Sequence, residues 1–167
     1  MKLETQRTYI REFCLEDAEA VLAFNGNEQV TQYTGDAGMV KTLTDAKNII
    51  ANIWLREYKE YGYGRWAVVE KSSNKVIGFC GLKYLPDVGA PDIGYRFLPE
   101  CWGKGYATET ATACIEYCKT HLGVKKIIGD VMEDNIASVK ILQKLGLTFS
   151  GYIKEDGQTF MRFMSAA

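Results

Sequence analysis

A chain of 167 residues that is 47% hydrophobic, 25% charged and 12% aromatic, with 16 Gly and 3 Pro, has the material for one domain with a sizeable core and is neither collagenous nor of low complexity. Twenty Lys and Arg against 21 Asp and Glu leave a formal charge of −1, so no overall positive field draws in a nucleic-acid backbone. No apolar run approaches the roughly 18 residues needed to span a bilayer, and Met1-Lys2-Leu3-Glu4-Thr5 lacks the apolar core of a secretory signal.

Five cysteines without a C-x-x-C pair read as reduced thiols, which points to a cytoplasmic protein with no membrane partner. The single histidine, His121, argues against a Ser/His triad or a multi-histidine metal site.

In chain order, Thr5 to Phe13 alternates and carries Thr8, Tyr9 and Ile10, as a strand does. Glu16 and Asp17 open a helix that stops near Asn25-Gly26, their carboxylates close to its positive end. Thr44 is the expected N-cap of a second helix, with Ala46, Ile49, Ile50, Ile53 and Trp54 on one stripe. Residues 63–70 and 76–84 form a hairpin across Ser72-Ser73-Asn74-Lys75, and Asp92 to Leu98 is the next strand. Gly105 to His121 reads as a helix, Lys125 to Val131 as a strand, and Asn135 to Leu145 as a helix closed by Gly146. Leu147 to Ile153 and Gln158 to Met164 pair across Glu155-Asp156-Gly157. No linker or repeat divides the chain, so residues 1–167 are expected to form a single α+β domain, a mixed sheet with helices on its faces.

The chemistry concentrates in two stretches. In the first, the strand ending at Phe97-Leu98 runs through Cys101-Trp102-Gly103-Lys104-Gly105 into a helix beginning Tyr106-Ala107-Thr108-Glu109. Gly103 and Gly105 permit positive φ and close approach of a ligand, and the unpaired amides of the first helical turn suit a phosphate. The bland alternative is a tight strand-to-helix connection. A Walker A loop is excluded because Gly105, not Ser or Thr, follows Lys104; a dinucleotide fingerprint is excluded because Thr108 stands where a small residue is needed. In the second stretch, Asn135-Ile136-Ala137-Ser138 precedes Lys144-Leu145-Gly146-Leu147. Helix caps explain Asn135 and Gly146 but not Ser138 or Lys144.

Together these stretches resemble the GNAT acetyltransferase superfamily, and more closely its branch of Rim-type ribosomal-protein N-terminal acetyltransferases. Ile77-Gly78-Phe79, Ile93-Gly94-Tyr95 and the segment Thr5 to Ala18 extend the resemblance over nearly the whole chain. It implies a mostly antiparallel central sheet of about seven strands with helices on both faces. It also implies acetyl-CoA as cosubstrate with no metal. The diphosphate would meet the amides of Gly103, Lys104, Gly105, Tyr106 and Ala107, and the pantetheine would lie along Phe97 and Leu98. Asn135 would bind the pantetheine, and Lys144 or Lys140 a phosphate. The partner it implies is an amine acceptor, with the enzyme a monomer or homodimer.

Direct transfer needs a neutral amine, an oxyanion donor and a proton for the thiolate. The tyrosine that many GNAT enzymes use as acid is replaced by Leu142, so Ser138 is the expected acid, with a backbone or cofactor contact as its alternative role. Asp92, Glu155 and Asp156 are the candidate bases, none in clean register, and an amide near Phe97 or Leu98 is the expected oxyanion donor. Glu109 matches the branch pattern, and its position also suits the helix dipole. Cys114, Cys118 and His121 share a helix face that reads as core rather than metal site, and Tyr33, Trp54, Tyr63 and Trp66 are candidates for the acceptor pocket or plain core. The first-choice acceptor is a protein N-terminal α-amine. The alternatives are a small amine such as a polyamine or amino sugar, or a non-catalytic acyl-CoA-binding module.

Overall fold

A computed structural model describes residues 1–166. The first expected strand divides in two: β1 (Lys2–Glu4) folds back on β2 (Thr8–Arg11), which makes the sheet eight-stranded rather than seven-stranded. A 3-10 turn leads into α1 (Ala18–Asn25), and a four-residue helix with no counterpart in the sequence reading, α2 (Glu28–Thr31), follows at once. Asn27 starts α2 by accepting the amides of Gln29 and Val30.

The next helix is capped by Thr42, not Thr44: the Thr42 side chain accepts the Asp45 amide while the Asp45 carboxylate accepts the Thr42 amide. It runs as α3 (Leu43–Ile49), a π turn at Ile50–Trp54, and α4 (Leu55–Tyr61). The wider turn inserts a residue, so Ala46, Ile50 and Trp54 reach the core while Ile53 is left exposed.

β3 (Arg65–Glu70), β4 (Lys75–Leu85) and β5 (Ala90–Phe97) form an antiparallel meander, and α5 (Tyr106–His121) follows. Then come β6 (Ile128–Met132), α6 (Ile136–Lys144), β7 (Thr148–Glu155) and β8 (Gln158–Met164). The strand order is β1-β2-β3-β4-β5-β6-β8-β7, antiparallel at every pairing except β5 with β6. It is a mixed α+β fold.

Register assigns the two faces. Phe79 of β4 sits opposite Arg96 of β5, and Cys80 opposite Tyr95. The Phe79 face carries α1 and the α3–α4 helix, where Phe13 stacks on Trp54 at 4.4 Å and Phe24 and Trp54 each meet Phe79 edge-on at 5.8 Å. The Cys80 face carries α5, with Trp66 against Tyr117 and Cys114 and Cys118 fully buried. Trp54, Tyr63 and Trp66 are therefore core, and His121 stacks on Tyr117 and hydrogen-bonds through Nδ1 to the Thr120 hydroxyl at the helix end.

One junction positions the site. β5 and β6 share a single paired rung, Asp92 with Ile128. Asp92 clasps it: its carboxylate accepts the Asp130 amide of β6 at 3.1 Å and pairs with Arg65 at 3.0 Å. The Arg65 guanidinium lies where a side chain at position 94 would stand, so Gly94 is required there. Beyond Asp92 the two halves of the sheet diverge and leave a gap beside Ile93–Phe97.

Candidate active site

The gap opens into a cavity of about 530 Å³ lined from both faces of the sheet. Its walls include Phe97, Gly103, Gly105, Tyr106, Ala107, Asn135, Ser138 and both Lys144 and its alternative Lys140, all named in the sequence reading.

Alternation along β5 explains why the gap can hold an extended chain. The Leu98 amide donates to the Ile77 carbonyl of β4, so the amides of Tyr95 and Phe97 point the other way, into the gap. This corrects one expectation: Leu98 is not free as an oxyanion donor and does not line the cavity, whereas Phe97 is free. The Phe97 carbonyl is held by the indole N–H of Trp102 at 2.8 Å, which fixes the start of the loop.

The loop has the conformation its glycines allow. Gly103 and Gly105 have φ of 72° and 82°, and a Cβ at Gly103 would meet nothing within 4 Å. The first helical bond of α5 runs from the Glu109 amide to the Gly105 carbonyl, so the amides of Tyr106, Ala107 and Thr108 are left to face outward at the positive end of a 16-residue helix. Donor set and open space fit a diphosphate. Lys104 is exposed and lies outside the cavity wall, whereas Lys140 and Lys144, one turn apart on α6, line it.

Asn135 caps α6, its side chain accepting the Ser138 amide at 3.2 Å. The Ser138 hydroxyl donates to the Tyr95 hydroxyl at 3.2 Å, and that hydroxyl lies 3.4 Å from the Ser138 carbonyl. Burial pushes the Tyr95 phenol well above its ordinary pKa, opposed by the Ser138 hydrogen bond, so it stays a proton donor. Tyr95 is a site residue the sequence reading missed; its signal, a tyrosine after Gly94 in the strand that meets the loop, reads as ordinary strand. Among the four aromatic candidates, Tyr33 alone reaches the cavity, from the connection after α2.

None of the three carboxylates named as candidate bases joins this group. Asp92 is spent on Arg65 and β6, and burial raises its pKa against the pull of Arg65. Glu155 is exposed, at the end of β7 beside the hairpin turn that also holds Asp156. Among the described residues the cavity wall holds three cations, Arg96, Lys140 and Lys144, and no carboxylate or histidine. Glu109 works outside it: it accepts from the Thr5 hydroxyl at 2.6 Å, the Arg7 amide at 3.0 Å and Arg7 Nε at 2.9 Å, tying the β1–β2 turn to α5.

A family model described as an acetyltransferase (GNAT) domain matches residues 7–148. The chain belongs to the GNAT acetyltransferase family. A Bacillus subtilis protein named as the N-acetyltransferase YoaA is 31% identical over 154 residues, covering 92% of this chain and 86% of the relative. The crystal structure of a GNAT-family acetyltransferase from Bacillus anthracis superposes with a TM-score of 0.80 at 25% identity, over 98% of this chain and 96% of that one. A ribosomal L7/L12 alpha-N-protein acetyltransferase solved with coenzyme A shares the fold, with a TM-score of 0.84 at 15% identity over 98% and 97%. This GNAT protein is thus an N-acyltransferase enzyme that uses acetyl-CoA. Among the described residues, no helix is long and apolar enough to cross a membrane, and no cluster of His, Cys, Asp and Glu could hold a metal ion.

Proposed function

We propose that this enzyme acetylates an α-amine, with a peptide or protein N-terminus as first choice, by direct transfer across the β5–β6 gap. The supporting observation is the wall itself, which offers hydroxyls and cations but no base. An α-amine has a pKa of about 7.7–8.0, so tens of per cent are neutral near pH 7.4, whereas a lysine amine at about 10.4 is only roughly 0.1% neutral. An acceptor of which tens of per cent arrives already neutral needs no carboxylate to prepare it. Three wall cations also repel a polyamine.

Bound acetyl-CoA supplies a thioester whose carbonyl carbon takes the amine nitrogen: the C–N bond forms, the C–S bond breaks, the amine nitrogen gives up a proton and the thiolate gains one. The α5 amides, Lys140 and Lys144 bind phosphate oxygens. The Phe97 amide faces the gap as the oxyanion donor. Ser138 is the proton donor to the thiolate, its hydroxyl oriented by Tyr95, and water takes the proton that the amine releases and returns one to Ser138. A leaving thiol of pKa about 8.5 asks only for a mild donor, so a hydroxyl pair suffices. The Rim-type resemblance supports a protein N-terminus, and so does the name of the L7/L12 neighbour, although at 15% identity that neighbour lends only the fold.

The test is thiol release from acetyl-CoA over a panel of peptides, amino acids, amino sugars and polyamines. For an α-amine acceptor, kcat/KM rises with pH and levels off above about 8. A profile still climbing toward 10, or turnover confined to polyamines, overturns the reading.

A further inference from the structure

Arg96 is the wall cation that the acetyl-CoA contacts leave unused. Lys140 and Lys144 stand on α6 near the amide loop, whereas Arg96 leaves β5 on the opposite face, toward α1. Its side chain is only 15% exposed. Nη1 donates to Asn25 Oδ1 at 3.0 Å and pairs with Asp36 Oδ2 at 2.8 Å. Nε and Nη2 make no hydrogen bond to any described residue, and neither is sealed in the interior.

The cation is also crowded. Its Cζ lies 5.2 Å from the Phe79 ring centroid, and that of Arg65 lies 5.6 Å from the same centroid. Its counter-charge, Asp36, is 42% exposed in the connection between α2 and α3. A buried charge needs full pairing, and the Nε/Nη2 edge left open is the one that takes a carboxylate side-on through two parallel bonds. Arg96 directly follows Tyr95 and precedes Phe97, so its Cα lies one strand residue (~3.3 Å) from each, and its side chain enters the same cavity from the other face of β5.

We propose that Arg96 binds a carboxylate of the acceptor, so that the preferred substrate is an α-amine with a carboxylate within a few bonds of it. This rests on the acetyl-transfer reading of the cavity and narrows it. An acidic peptide N-terminus offers that group as an aspartate or glutamate side chain while its α-amine stays in the peptide range.

The experiment uses matched peptide pairs: aspartate in the first two positions against asparagine, and glutamate against glutamine. In the unaltered enzyme, the carboxylated member of at least one pair is favoured about tenfold in kcat/KM, through KM. The pair with the stronger preference identifies the side-chain length that reaches Arg96. Arg96→Gln abolishes the preference, and Arg96→Lys keeps part of it. Asp36→Asn, which keeps the size and a hydrogen-bond acceptor beside Thr34, lowers KM for the carboxylated member several-fold by removing its competitor.

The same pairs titrated by calorimetry into the CoA-saturated protein read the preference without turnover. No thiol release from any amine sinks the transferase reading. Equal affinity within both pairs, or a preference that survives Arg96→Gln, sinks this one.

Discussion

The two ends of the cavity are built in opposite ways. On the proposed reading the cofactor end is mostly one continuous stretch, Phe97 to Thr108, where two glycines of positive φ shape the loop and backbone amides would do the binding. The acceptor end would be assembled from distant segments: Tyr33 after α2 and Arg96 on β5, the latter held by Asn25 and Asp36. Backbone chemistry tolerates little change and side-chain chemistry tolerates much, so the acceptor can change while the cofactor stays the same.

Gly103→Val is the hardest blow to the cofactor end. A β-branched residue at φ 72° carries about 1–3 kcal/mol of strain, and the loop relieves it by turning its amides away. Calorimetry with coenzyme A should show affinity lower by on the order of 10³, about 4 kcal/mol, while the melting temperature falls by only a few degrees. Equal losses in affinity and stability would erase the contrast between the two ends.

Ser138→Ala should lower kcat by about 10²-fold with the KM for acetyl-CoA little changed, and Tyr95→Phe by about tenfold. If Ser138→Ala raises KM and spares kcat, Ser138 is only a cofactor contact.

The smallest effect belongs to Glu109→Gln, outside both ends. Burial raises the Glu109 pKa, but the hydrogen bonds from Thr5 and Arg7 outweigh it and hold the carboxyl below its ordinary value. A depressed pKa means that its stabilisation is fully present above about pH 4.3 and is lost as pH falls through the folded value. The variant should therefore lose about 1 kcal/mol at neutral pH and converge with the unaltered protein once pH falls below the folded value, as read by thermal melts across pH.

Legibility in the sequence followed the same division. The loop glycines and Asn135 were readable because local spacing and capping determine their geometry, Ser138 and Lys144 were placed only by the family resemblance, and the α+β class followed from the element order. Thr42 was missed because Thr44 lies two residues away in the same polar run, and α2 because four residues leave no periodicity. The split of the first strand turns on a tight bend at Thr5 to Thr8 that alternation hides. Asp92 looked like a base because it precedes the loop; its engagement with Arg65 and Asp130 is long-range and leaves no sequence signal. Tyr95 and Arg96 were unreadable for a related reason: successive strand residues face opposite ways, and only the tertiary fold decides which way faces a cavity.

The lone rung between Asp92 and Ile128 makes the sheet two panels joined at a hinge pin, with little backbone cohesion beyond it. A linear ligand threaded into that opening is edged by strand on both sides, so loading the enzyme also splints its weakest seam, and resistance to heat becomes a property of the liganded protein as much as of the chain.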